Sequence, residues 1–254
     1  LYIGIESNFP HEGEAYWEDA PNRLDLVVGK FPQWQELHRA VSETGIGNNL
    51  FTGGVKEPVN LSVAINGNEL TITVRLISDP ARYVTTTYIY AEGQDISLGN
   101  VGIRSAHCDA AYDNFAVIYE QVEQDKDPDD IIPEEPTTEP ATEPEEPTVP
   151  TDVVDFENAD SGEKFNLYHS SNGGFAVQDG KLVPAGETGE FKAIYRDTNA
   201  NFSFVSVDIY PGQDGIRGGL YLDVTDVDHA VDQVSALYIG IESNFPHEGE
   251  AYWE

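Results

Sequence analysis

Residues 59–76 read VNLSVAINGNELTITVRL, and this stretch decides the fold class. In its first half Val59, Leu61, Val63 and Ile65 alternate with Asn60, Ser62 and Ala64. In its second half Leu70, Ile72, Val74 and Leu76 alternate with Thr71, Thr73 and Arg75. Successive side chains leave a strand on opposite faces, so period two marks a strand with one buried face. Asn66-Gly67-Asn68 separates the halves, and Asn and Gly tolerate the positive φ that tight hairpin turns need. The segment reads as an antiparallel β-hairpin.

Moving outward, strands are expected at residues 24–29, 83–91, 101–104, 114–119, 153–157, 174–177, 191–195, 202–210, 219–224 and 237–242. Turns rich in Gly, Asn, Asp and Pro separate them. One helix is expected, at residues 33–42, with Gly45 and Gly47 to stop it. The chain's 11 Phe, 3 Trp and 13 Tyr suffice for a substantial core. About a dozen strands over about 205 residues predict an all-β, jelly-roll-like sandwich of two antiparallel sheets.

Two features organise these strands. Residues 1–18 read LYIGIESNFPHEGEAYWE, and residues 237–254 repeat them without a change. Such identity marks one unit of a near-identical tandem array cut at an arbitrary phase, or a sequence made redundant at its ends. The second feature is residues 122–152, VEQDKDPDDIIPEEPTTEPATEPEEPTVPTD, with seven prolines, twelve carboxylates, one lysine and no aromatic. This stretch buries too little apolar area to offset its ordering entropy and reads as a disordered spacer. In polyproline II geometry it would reach about 95 Å. Residues 1–121 are then the C-terminal part of a sandwich, and residues 153–254 the N-terminal part of the same or the next repeat. The sandwich is expected to be permuted across the fragment, with neighbouring repeats of the same chain as partners.

The 46 acidic and 13 basic side chains give a formal charge of −33, which excludes nucleic acid and anionic membrane surfaces as partners. The apolar runs are far shorter than the roughly 20 residues of a spanning helix, so no membrane insertion is expected. The absence of Met and the start within an apolar run fit an internal piece of a longer protein. The one cysteine, Cys108, excludes an intrachain disulfide framework and is expected to be a packed side chain.

The opening VVDFEN (153–158), GGFAVQDGKLV (173–183), the 59–74 hairpin and GNVGIRSAHCDAAYDNFAVIY (99–119) resemble the concanavalin A-like lectin and laminin-G-like sandwiches. Within that group the chain is most similar to carbohydrate-binding modules and glycosidase-associated domains of secreted bacterial proteins. The resemblance implies a secreted or cell-surface location. It leaves function open, because this sandwich hosts lectins, hydrolases and spacers alike.

Sugar recognition needs aromatic faces beside polar groups. Tyr16 and Trp17 in a Gly/Pro-containing loop, and Trp34 between two glutamines, are the stacking candidates. Arg104, His107 and Asp109, expected in a loop before the last strand, are the hydrogen-bonding candidates. Asp155 and Glu157 alternate on the first strand and Asp113-Asn114 opens the last. Their hard oxygens suit a structural calcium ion near the junction of the natural termini, as the resemblance also implies. Glu12, Glu14, Glu18 and Asp19 crowd one loop and read as a solvated acidic surface. The alternating Glu and Asp of a retaining hydrolase on this fold are absent, so no catalytic residue is assigned. The sequence-based function is a non-catalytic carbohydrate-binding module with a glycan or polysaccharide partner. The alternatives are a structural or adhesive surface repeat and, behind it, a sugar-active enzyme.

Overall fold

The computed structural model describes residues 25–30, 37, 38, 40, 55, 57–90, 100–106, 108–119, 151–157, 159–168, 173–186, 190–195, 201–212, 215–224 and 237–244. The described residues include fourteen strands. They are β1 (Asp25–Lys30), β2 (Val59–Asn66), β3 (Glu69–Leu76), β4 (Tyr83–Ile89), β5 (Asn100–Ala106), β6 (Ala111–Tyr119), β7 (Thr151–Val154) and β8 (Phe165–Tyr168). They continue with β9 (Gly173–Gln178), β10 (Lys181–Gly186), β11 (Glu190–Tyr195), β12 (Phe202–Tyr210), β13 (Gly215–Val224) and β14 (Leu237–Asn244). A short 3-10 helix, Ala159–Lys164, leads into β8.

The strands form two antiparallel sheets packed as a sandwich. The six-stranded sheet has the order β1-β14-β13-β5-β11-β8. The eight-stranded sheet runs β9-β10-β6-β12-β2-β3-β4, with β7 also paired to β6. In each sheet, strands from either side of residues 122–150 are neighbours: β5 lies between β13 and β11, and β12 lies between β6 and β2. The repeated sequence enters through its second copy, as β14 between β1 and β13. Residues 1–18 lie outside the described residues.

The hairpin that decides the fold pairs Val59 with Leu76 through Asn66 with Glu69, leaving Gly67-Asn68 as a two-residue loop. Gly67 has φ +59° at the first loop position, the conformation a type II′ turn requires there. Its apolar residues point inward: Val59, Leu61, Val63, Leu70, Ile72 and Val74 are fully buried. Slipping the register by one residue would turn that whole set to water, at roughly 1.5–3 kcal/mol per side chain. The β9–β10 hairpin closes on Asp179-Gly180, with φ of 51° and 72°, the pair of positive angles of a type I′ turn.

The inner faces meet in one core. Ile103, Leu220, Ile239 and Val28 face it from the six-stranded sheet; Val205, Val207, Ile209 and Val117 face it from the other. At one end Phe115, Phe165 and Tyr195 stack with ring centroids 5.1–5.5 Å apart, and Phe156 joins at 5.5 Å from Phe165.

Three expectations meet the structure differently. Within the expected helix at 33–42, Leu37, His38 and Ala40 are in extended strand conformation. There His38 Nε2 lies 3.1 Å from Thr86 Oγ1 and its ring packs on Tyr88, so tertiary contacts with β4 override the local helical pattern. The expected spacer yields its last two residues to β7, where Thr151 pairs with Ile118 and Asp152 with Val117. Arg104, the last residue of the strand expected at 101–104 and also placed in the loop that follows, lies inside β5, which runs on to Ala106 and pairs it with Lys192 and Gly219.

Candidate functional site

Because residues alternate between faces, the polar half of the hairpin must look away from the core. Register extends that polar face across the eight-stranded sheet. Tyr83 of β4 stands opposite Arg75 of β3, Arg75 opposite Asn60 of β2, Asn60 opposite Asp208 of β12, and Asp208 opposite Asp113 of β6. Leu182 pairs with Tyr112, which brings the preceding Lys181 of β10 beside Asp113. One step along the strands a second row follows, in which Thr85, Thr73, Ser62 and Ser206 are successive partners. Thr73 and Thr85 share a hydroxyl hydrogen bond of 2.7 Å.

The first row is organised around Asp208. One carboxylate oxygen accepts the Asn60 Nδ2–H at 2.7 Å and the other accepts the Asn114 Nδ2–H at 2.9 Å. A β-bulge makes the second bond possible. Ala116 pairs with Ser206 and Asp113 with Asp208, so Asn114 and Phe115 together face Val207. Asn114 takes up the extra length with φ of 47°, a left-handed conformation that Asn tolerates better than most residues. Its backbone N–H donates to Asp113 Oδ1 at 2.8 Å.

Cation and ring pairs flank this centre. The Arg75 guanidinium lies 5.3 Å from the centroid of Tyr83, a ring 51% exposed, and Lys181 Nζ lies 4.6 Å from the centroid of Tyr210. Burial, above all, pushes the Asp113 carboxyl up, with the charges of Asp208 and Glu157 adding to it; the Asn114 N–H and Lys181 pull it down. The Tyr210 hydroxyl is also pushed up, first by burial and then by Asp113 and Asp208. On the six-stranded sheet the outward-facing Arg104, Ile194 and Tyr221 are buried, while Asn100, Arg217 and Asp223 are half-buried. The polar face of the eight-stranded sheet is exposed at Arg75, Tyr83 and Asn114, half-buried at Asn60, Thr73 and Asp208, and buried at Asp113 and Ser206.

The sequence-predicted residues distribute unevenly over this arrangement. Asp113 belongs to the row. Asp109 is exposed ahead of β6, with its carboxylate against Gly212. Arg104 is 2% exposed and apart from the row, on β5 of the other sheet. Asp155 is exposed, and its Oδ1 accepts the Glu157 N–H at 3.3 Å. Glu157 reaches the row through its charge on Asp113. Among the described residues no group of three or more His, Cys, Asp or Glu side chains is arranged to hold a metal ion. Tyr16, Trp17, Trp34 and His107 lie outside the described residues.

Sequence reading missed Asn60 and Asp208, and singled out Asn114 only beside Asp113, as a metal candidate. The signal was present in part, since Asn60 and Asp208 are outward-facing polar residues on strands whose inward positions are apolar. Their meeting, however, depends on a pairing between strands 148 residues apart. Cys108 is buried, its Sγ accepting the Arg217 N–H at 3.2 Å, and burial pushes its thiol up. It is a packing residue in a place where the reactive thiolate is disfavoured.

No protein-family model matches this chain, and no curated protein matches it.

Proposed function

We propose that the chain is a non-catalytic glycan-binding module that uses the outer face of the eight-stranded sheet. The observation that carries this reading is the Asp208 centre: a carboxylate holding two asparagine amides in fixed orientation on an accessible face, beside a row of hydroxyls and between two tyrosine rings. Sugars present hydroxyls that both donate and accept, and apolar ring faces that stack on aromatics; this face offers the complement of both. A secreted or surface location, and a calcium ion near Asp113 and Glu157, belong to the same proposal.

The test is retention of the intact chain on immobilised polysaccharides, compared with Thr73→Arg, which puts a bulky side chain on the centre of the face without touching the core. The reading expects retention that Thr73→Arg abolishes at an unchanged melting temperature. Retention that ignores the substitution would move the site elsewhere. A folded chain that no polysaccharide retains would favour a structural or adhesive repeat, the reading to which the duplicated eighteen residues point.

A further inference from the structure

The Asp208 centre also defines what kind of glycan fits, an inference that rests on the glycan-binding reading. Each hydrogen bond to Asp208 uses one N–H of an asparagine amide and fixes the plane of that amide. The second N–H and the carbonyl oxygen of Asn60 and Asn114 are thereby held side by side. A donor and an acceptor in one plane complement neighbouring hydroxyls of a sugar ring. Each oxygen of the Asp208 carboxylate already accepts one of these amides, which makes it their anchor.

Length and charge narrow the ligand further. From Tyr83 through Arg75, Asn60, Asp208 and Asp113 to Lys181 the row crosses six strands, five intervals of about 4.8 Å, or about 24 Å. That is several times the width of one sugar ring. Asp208 and Asp113, with Glu157 nearby, place negative charge along its inner part, while the cations Arg75 and Lys181 sit against the rings of Tyr83 and Tyr210. Carboxylated or sulfated sugars would meet like charge there.

We infer that the ligand is a linear oligosaccharide of uncharged sugars lying across the strands, with Asn60 and Asn114 making its central hydrogen bonds and Asp208 as their positioning residue. Tyr83 and Tyr210 then flank the chain, and a single sugar fills only part of the site.

Calorimetric titration of the full chain tests this with glucan, mannan, galactan and xylan oligosaccharides of one to six units, and with oligogalacturonate as the anionic counterpart. At least one neutral series should bind, its affinity rising roughly tenfold or more from dimer to hexamer, and oligogalacturonate should not. Asn60→Ala and Asn114→Ala should each weaken hexamer binding roughly tenfold. Asp208→Ala should lose as much, and in NMR spectra the side-chain amide protons of Asn60 and Asn114 should lose protection while the Val63 and Ile72 backbone amides keep theirs. Tyr83→Ala, at an exposed position that the core does not use, should weaken the hexamer and spare the dimer. Equal affinity for monomer and hexamer, preference for oligogalacturonate, or indifference to both asparagine substitutions would overturn the inference and leave a glycan-binding module of another kind. Binding to no member of the panel would overturn the glycan-binding reading itself.

Discussion

The Tyr112 hydroxyl rises from the eight-stranded sheet and donates to the backbone carbonyl of Arg104 in the six-stranded sheet at 3.0 Å. The Tyr112 ring is fully buried and packs edge-on against Phe175, with centroids 5.8 Å apart. Gly218 makes room for the contact, since a Cβ there would collide with the Tyr112 hydroxyl and the Arg104 carbonyl. Tyr112→Phe should therefore cost about 1 kcal/mol and Gly218→Ala about 1–3 kcal/mol in urea unfolding. Two variants of parental stability would mean that the bond does not join the sheets.

Alkaline pH should act on the same residue. Burial above all, then the Cys108 charge, raises the Tyr112 hydroxyl well above its ordinary value of 10.0, against smaller opposing contributions from Ser105 and Arg104. The folded state thus keeps a proton that the unfolded chain releases. That contribution is complete below the unfolded value and is lost as pH rises through the folded one. Melting temperature should fall more steeply above about pH 10 in the parent than in Tyr112→Phe, and parallel curves would contradict the assignment.

Gly67 isolates the backbone term of the first hairpin. Its φ of +59° disfavours side chains, yet a Cβ there would meet nothing within 4 Å. Gly67→Ala should destabilise by about 1 kcal/mol through conformation alone, and a neutral result in thermal unfolding would mean the turn adopts another geometry.

Asp113 should be a net liability to folding in calcium-free buffer. A carboxyl raised above 3.8 marks a charge that the folded state resists, here through burial and the nearby Asp208 and Glu157. Its favourable contribution is present below the unfolded value and lost as pH rises through the folded value. Asp113→Asn should raise the melting temperature at neutral pH and make little difference near about pH 3. If calcium binds there, adding it should stabilise the parent and not the variant.

Local chemistry made the strands legible, whereas their partners were not. The alternation in residues 59–76 carried the hairpin because strand, turn and register all lie within eighteen residues. Asp179-Gly180 carried an equally local turn signal, yet β10 was missed because Pro184 and Gly186 weaken its strand pattern. The strand expected to end at Arg104 runs on to Ala106, because Ser105 and Ala106 pair with Phe191 and Glu190, so Arg104 belongs to the sheet and not to a loop with His107 and Asp109. Of the site, Asp113 and Asn114 were singled out, but for a metal. Asn60, Asn114 and Asp208 acquire meaning only from a bulge and a strand order that no local pattern encodes.

Mapping the NMR shift changes of the full chain, during titration with whichever neutral oligosaccharide it binds, tests the account most directly. The account predicts shifts concentrated on Asn60, Ser62, Thr73, Arg75, Asn114 and Asp208. Shifts concentrated on Trp17 and Trp34, with the sheet face silent, would contradict it.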